Sequence, residues 1–483
     1  MTDLEYQAWL EDSSAQRVTL YEADVLSGDV EITRYLSNRH YSFGDPANPY
    51  LAIVSLDLKI VEAITRDGAA RLSAGKVGIW SVSGERDAWL DDVWKNRGIR
   101  AYVGDVRWPR ADFRLAFVGV MEDVSGNEDP NRIMIEMRDI TQRINTPVSE
   151  VLLADGSLCP FTVGEAANVI LKLKNAATRE YAYHVAASEG VIEARVEAKP
   201  RTAVTDNPSS GSITFLTNTE VGLVTASVQG DKTGGFYRCT IASLVKLLVT
   251  AYGEASRRFT ESEIDSANFA AFEAGHPQKV GLHTSERMNV IEACHSLTAS
   301  VQASLISSRV GRLRLVQWGI PAVATASILP RHYIDQSLKP ITRHPVVAAV
   351  KIGYSRNYSP QPGLQTSIPD EHKALLAAPW RFRTVVDLPT QTRYKLGAEP
   401  PLSETCLNNE DDATAEALRR LNQDKVPRTT YALEGTPATM LLQLGEGVML
   451  HSSRYGMSEG KLGQITLLAF DFGTYNTDIE VTA

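Results

Sequence analysis

At 483 residues, 43% hydrophobic and 22% charged, the chain has the make-up of a globular protein of about three domains. Its 49 basic and 58 acidic residues give a net charge of −9, which argues against nucleic-acid binding through a basic surface, because that mode needs Lys and Arg to displace counterions. The opening MTDLEYQAWLEDSS lacks the basic and apolar regions of a signal peptide, and no window approaches the roughly 18 apolar residues of a membrane span, so a soluble chain made in a cytoplasm is expected.

Residues 1–145 read as a β-rich domain. In 17–25 (RVTLYEADV), Val18, Leu20 and Glu22 face one way and Thr19, Tyr21 and Ala23 the other. Gly28-Asp29 marks the turn into a returning strand at 31–36. A loop over 37–49 follows, then strands at 51–56, 59–64, 76–82, 99–104, 113–124 and 133–137. One helix is expected at 85–95 (ERDAWLDDVWK), capped by Ser83, with Trp89, Leu90, Val93 and Trp94 on its apolar side.

Residues 146–235 read as a small β module, with strands at 181–185, 190–196, 212–215 and 224–228 and a turn at 205–211. Residues 236–340 read as an α+β domain. Its helices are expected at 240–253, at 260–274 behind a Thr260/Glu263 capping box, and at 285–300; strands follow at 303–307 and 311–318. Residues 341–483 form the last domain. It opens on a buried strand at 346–354, makes Pro/Gly-rich excursions at 359–371 and 398–401, and carries an amphipathic helix at 413–425. Short strands at 428–434, 439–444, 447–451, 462–470 and 477–482 complete it. The fold class is therefore α+β and β-dominated: two end domains, each a β-sandwich or barrel with one helix, enclose a smaller β module and an α+β segment. The helices at 85–95 and 413–425 are expected on matching sheets.

The residues do not assemble into a catalytic signature. His276, His283, Cys294 and His295 lack the spacing that puts two metal ligands on one face. The loop 230–235 (GDKTGG) has the glycines, Lys and Thr of a phosphate loop in the wrong order and reads as a turn. The string GMSEG at 456–460 matches G-x-S-x-G, but it falls between the expected strands 447–451 and 462–470 rather than at a strand-to-helix turn, so it is not read as a nucleophile elbow. The acidic runs Asp91-Asp92 and Glu410-Asp411-Asp412 suit helix starts or solvated loops better than the paired carboxylates of glycan cleavage. Cys159, Cys239, Cys294 and Cys406 are far apart and read as reduced thiols. No catalytic, cofactor-binding or metal-ligating residue is nominated, and no cofactor is expected. Trp80, Trp89, Trp94 and Trp108 are anchors for either a core or an interface.

Two regions carry a resemblance. RVTLYEADV (17–25) with GDVEITRYLSNRHYSFGD (28–45), and GKVGIWSVSGERDAWLDDVWKNRGIRAYVGD (75–105), resemble the opening of tail-tip proteins of long-tailed bacteriophages. AEALRRL (415–421) with LQLGEGVMLHSSRYGMSEGKLGQITLLAFD (442–471) is similar to the final domain of phage tail hub, or baseplate hub, proteins. The resemblance implies two tail-tube-like domains per chain and a homotrimer presenting six of them to a six-fold tail tube. It implies a non-enzymatic virion component at the tail tip that closes the tail channel and takes part in genome ejection. The partners it implies are a distal tail protein ring, the C-terminus of the tape-measure protein and a central tip or fibre protein; DNA passes without sequence-specific binding. A hexameric distal tail protein or a receptor-adsorption protein is the alternative, and a cell-wall hydrolase the third reading.

Overall fold

A computed structural model describes residues 1–43, 45–68, 70–126, 129–217, 222–364, 368–397 and 399–483. Gly44 of the 37–49 loop, and residues 365–367 and 398 of the two Pro/Gly-rich excursions, lie outside the described residues. The architecture is α+β and β-dominated, as expected. The chain divides into two compact units, each discontinuous in sequence. One comprises Met1–Gln142, Ile306–His344 and Arg428–Ala483; the other comprises Arg143–Leu305 and Pro345–Pro427. Domains taken in chain order (1–145, 146–235, 236–340 and 341–483) do not anticipate this interleaving.

The first unit holds two eight-stranded sheets. The N-terminal sheet runs Leu51–Ala52, Val30–Ser37, Arg17–Ser27, Gly98–Asp105, Arg114–Gly126, Arg132–Arg138, Lys76–Trp80, Val54–Leu56. Its first and last strands are separated in sequence by Ile53 alone, so the sheet must curl until its ends meet, and Trp80 N–H donates to the Ile53 carbonyl at 2.8 Å. The inner face follows the period of two: Tyr21, Ala23 and Val25, Ile99, Ala101 and Val103, and Val77 and Ile79 are fully buried together. The opposite face is covered too, where Val18 and Leu20 pack with Tyr41, Tyr50 and Phe113.

A helix at Asp3–Glu11, absent from the sequence reading, packs into this core. Thr2 and Glu5 form its capping box, and Tyr6, Trp9 and Leu10 are its buried side. The Tyr6 hydroxyl donates to the Val103 carbonyl at 3.2 Å, and Trp9 Nε1 donates to Asp105 at 3.1 Å.

The C-terminal sheet runs Ala326–Ile328, Gly447–Leu450, Lys461–Asp471, Thr477–Thr482, Thr429–Gly435, Lys339–Arg343. Its long strand is shared. The first part of Lys461–Asp471 pairs with Gly447–Leu450, and the last part pairs with Lys59–Ile64, which hairpins into Ala70–Ala74. A hairpin from the N-terminal third thus completes the C-terminal sheet. Residues 439–444, expected as a strand, are a 3-10 turn at Pro437–Thr439 and the loop after it.

The second unit packs a five-stranded sheet (Lys199–Arg201, Ser188–Val196, Val224–Asp231, Phe161–Ile170, Gly281–Thr284) with a four-stranded one (Lys172–Asn175, Glu180–Ala182, Ser212–Phe215, Val204–Asn207). Ala166, Val169, Tyr183, Ala194, Val196, Ile213, Phe215, Ala226 and Val228 are among the buried core they share. Helices Ile241–Ala251 and Val290–Ala299 fall within the ranges expected for them, and Ser266–Gly275 ends one residue beyond its range; the Thr260/Glu263 capping box forms, but on a 3-10 turn at Glu261–Glu263, while Asp265 caps the α-helix. A three-stranded sheet (Arg381–Val386, Ala349–Tyr354, Leu402–Glu404) completes the unit.

The expected pair of matching helices is not found. Residues 85–95 hold no α-helix, only a 3-10 turn at Asp87–Asp91 that follows another at Val82–Gly84. The backbone there finds better partners: Val93 exchanges hydrogen bonds with Leu26 at 2.9 and 3.1 Å, Asp92 pairs with Arg34, and Trp94 enters the core with its Nε1 on the Trp89 carbonyl at 2.7 Å. The C-terminal helix is real, at Glu410–Asp424, but it belongs to the second unit. It lies on the Ala349–Tyr354 and Arg381–Val386 strands, burying Ala413, Glu416, Ala417, Arg420 and Leu421 at helical spacing. Equivalent helices therefore give no support to duplication; each end of the chain contributes an eight-stranded sheet, with different strand orders.

Candidate assembly surfaces

The four tryptophans are placed as core and near-core anchors. Trp94 is 1% exposed; Trp89 and Trp108 pack partly buried against the same cluster, Trp108 with its ring 4.5 Å from that of Trp9. Arg132 stacks over Trp80 at 4.4 Å and Arg34 over Trp89 at 4.1 Å, so both indoles are covered by cations of their own sheet.

One face of the N-terminal sheet carries a ladder of opposite charges. Arg100 grips Asp24 through two bonds of 2.9 Å, and Glu22 accepts from Tyr50 at 2.6 Å and Arg110 at 2.8 Å. Burial works against the Glu22 carboxylate, but the Tyr50 and Arg110 contacts outweigh it and hold its pKa below the ordinary range. These side chains are matched within the sheet, which makes this surface rigid and locally neutral.

The sheet edges differ in how they are finished. Lys339–Arg343, the outer strand of the C-terminal sheet, is exposed along its whole length. It contains Pro340, a register shift between Pro340 and Thr342, and two cations, all features that discourage another strand from pairing with it. Arg381–Val386 also carries two cations, Arg381 and Arg383, but has neither a proline nor a register shift.

The residues weighed for chemistry are dispersed or enclosed. His276 ends its helix, its N–H on the Phe272 carbonyl and its ring 4.4 Å from that of Phe272; His295 is exposed; Cys294 is buried, and burial pushes its thiol up. Among the described residues no three His, Cys, Asp or Glu side chains are placed to hold a metal ion. In the 230–235 loop, Asp231 itself accepts the Thr233 N–H at 2.9 Å, occupying with its own carboxylate the place a phosphate would need. Glu410 begins its helix, accepting from Tyr354 at 2.9 Å and pairing with Arg383.

His283 belongs to a buried polar centre that the sequence reading did not assemble. Thr162 donates its hydroxyl to the Tyr183 carbonyl at 2.7 Å and its N–H to His184 Nδ1 at 3.1 Å. With that hydroxyl committed, His283 Nδ1 donates to Thr162 Oγ1 at 2.8 Å. His184 Nε2 lies 3.4 Å from Asp231, which also accepts from Tyr252 and, at 2.7 Å, from Thr233 Oγ1. Burial above all, with the nearby cations Arg356 and Lys172 adding to it, pushes the His283 pKa down to about 3. The centre ties the five-stranded sheet to the end of helix Ile241–Ala251. His184, Asp231 and Thr162 are fully buried, so the arrangement serves packing specificity rather than a reaction. Only the order of pairing in the fold brings Thr162, His184, Asp231 and His283 together; no local spacing signals it.

No family model matches this chain, and no curated protein matches it. Several solved structures span nearly all of it at low likeness. The tail protein from Neisseria meningitidis MC58 is 9% identical, with 96% of each chain covered and a TM-score of 0.41. The prophage MuSo2 43 kDa tail protein from Shewanella oneidensis is 10% identical, covering 96% of this chain and 98% of that one, at 0.41. Prophage tail protein gp18 from Listeria monocytogenes EGD-e is 10% identical, covering 97% and 94%, at 0.35. Likeness at this level carries no inference about function. Among the described residues, no helix is long and apolar enough to cross a membrane.

Proposed function

We propose that this chain is a structural, non-enzymatic component of a bacteriophage tail, and within it the hub at the tail tip. The observation that carries the reading is the pair of eight-stranded sheets in one unit, one built from each end of the chain and locked together by the 59–74 hairpin. Three copies of such a unit present six sheets, which is what a three-fold tip needs to meet a six-fold tube. The resemblance of residues 17–50 and 75–105 to tail-tip proteins, and of 415–421 with 442–471 to hub proteins, supports the same reading. In this role the homotrimer joins the tail tube, through a distal tail protein ring, to a central tip or fibre protein. It also holds the tape-measure C-terminus until ejection and closes the channel. The net charge of −9 suits a wall along which DNA slides without sequence-specific binding.

Copy number in purified tails is the test. Three copies per tail, at the tip end of the tube, is the expected result; six copies, or a position along the tube wall, would favour the distal tail or adsorption role instead. Release of soluble muropeptides by the purified chain would revive the hydrolase.

A further inference from the structure

We propose that Arg381–Val386 is a self-pairing edge, through which two copies of this chain join as antiparallel strands across a two-fold axis at Thr384. The proposal stands independently of the tail role. Among the described residues the strand is the outer member of its three-stranded sheet and pairs only with Ala349–Tyr354. Its hydrogen-bonding phase is fixed by Asp387, whose N–H donates to the Ala348 carbonyl at 2.8 Å, one step beyond the Ala349↔Val386 pair. Residues of odd number therefore bond inward, and the N–H and C=O groups of Phe382, Thr384 and Val386 point to the open side. Among the described residues no further strand pairs with that side, and the side chains along it are open: Phe382 is 55% exposed beneath Lys351, Val386 is 46% exposed, and Arg381, Arg383 and Thr384 are exposed as well. A straight edge of six residues with neither Pro nor bulge is one that other strands can extend.

Sequence selects the occupant and the register. With the axis on Thr384, Phe382 of one copy lies opposite Val386 of the other, an aromatic/β-branched pair, twice over. Arg381 lies opposite Asp387 of the other copy. Among the described residues Arg381 makes no ion pair, while Asp387 spends one oxygen on the Thr390 N–H at 2.9 Å and keeps the other 3.4 Å from Lys425. Moving the axis to Phe382 would oppose Arg381 to Arg383; moving it to Arg383 would oppose that residue to itself and present backbone groups already used inward. The Thr384 register is the one that satisfies backbone, apolar pairs and charge together. It closes into an isologous contact, so it yields a pair of copies rather than a fibre. Its ladder is about six hydrogen bonds between copies, at the small end of specific interfaces, so the association is reversible and depends on concentration.

Sedimentation of the full chain across a concentration series tests this. The wild type is expected to double in mass reversibly, and Thr384→Pro to abolish the doubling, since it removes an outward N–H and leaves the bonds to Ala349–Tyr354 intact. Arg381→Glu, which sets like charges against each other at two places, is expected to weaken the association about tenfold. Thr384→Cys is expected to form a covalent pair under mild oxidation, since the Cα atoms of such a pair lie about 5.5 Å apart. Leu418→Cys, 44% exposed on the 410–424 helix, serves as the control and stays uncoupled. The proposal is overturned if Arg381→Glu and a folded Thr384→Pro sediment like the wild type, or if Thr384→Cys couples no faster than Leu418→Cys.

Discussion

Arg420 shows how much a single buried side chain organises. It sits on the inner face of helix Glu410–Asp424, bonds Glu416 at 2.6 Å, and reaches the Ser300 carbonyl at 2.9 Å, one of those left unpaired at the end of helix Val290–Ala299. Glu416 is itself 3% exposed, and its other partner is Arg419 at 2.7 Å. Arg420→Met is therefore expected to cost about 3–5 kcal/mol in chemical denaturation, because it leaves a buried carboxylate short of a partner. Adding Glu416→Leu should recover part of that loss, since removing both charges removes the uncompensated one; a double variant no better than the single would contradict this account.

The buried histidine gives a pH dependence with a definite sign. His283 is held neutral in the fold, with its pKa pushed from 6.5 to about 3, while the unfolded chain takes up a proton below its ordinary value. Its contribution to stability is thus present above pH 6.5 and is lost as pH falls toward 3, at about 1.4 kcal/mol per pH unit. His283→Gln is expected to lower stability at neutral pH and to flatten the acid slope by one proton, read from denaturation midpoints between about pH 7 and pH 4. An unchanged slope would place the acid sensitivity elsewhere. None of this was legible in the sequence, where His283 was one member of a dispersed His/Cys set. The signal lies in pairing: Phe161–Ile170 had to be found as a strand, and then set beside Gly281–Thr284.

At the scale of elements, that same strand pair depends on an approach only glycine permits. A Cβ on Gly281 would sit 1.7 Å from the Glu165 carbonyl, which is backbone and cannot rotate away. Gly281→Ala is expected to cost about 3 kcal/mol or to prevent folding of the second unit, measured by thermal unfolding. Strands were the most legible elements, because alternation along one segment is enough to betray a half-buried strand. Lys59–Ile64, Ser212–Phe215 and Thr477–Thr482 fall where their patterns place them. Helices were legible where an apolar stripe recurs at helical spacing over several turns, as at Ile241–Ala251 and Glu410–Asp424. The segment 85–95 had the stripe, but a strand edge at Leu26 claimed its backbone. Asp3–Glu11 was missed although Thr2, Glu5 and the Tyr6/Trp9/Leu10 spacing were all in view; its acidic residues masked a stripe only three side chains long.

Taken whole, the first unit is one cooperative body made from both ends of the chain. Phe472 is fully buried within the cluster that also holds Tyr21, Ile99 and Phe117, and Thr19 bonds the Phe472 carbonyl at 3.3 Å. Phe472→Ala is expected to cost about 3–5 kcal/mol, and the loss should appear in both sheets at once. Hydrogen exchange would then show protection falling together at Arg17–Ser27 and Lys461–Asp471; a loss confined to the C-terminal strands would mean the sheets unfold separately.

The sequence by itself determined what is local: the β-dominated α+β class, most strand and helix positions, and a net charge that disfavours a basic nucleic-acid surface. Tertiary structure alone decided which strands are neighbours. It assigned the C-terminal helix to the second unit, sent the 59–74 hairpin into the far sheet, and left Arg381–Val386 as an open edge. The physical reason is that periodicity reports which face of an element is buried, whereas its partner is chosen by the fit of whole surfaces brought together from distant parts of the chain.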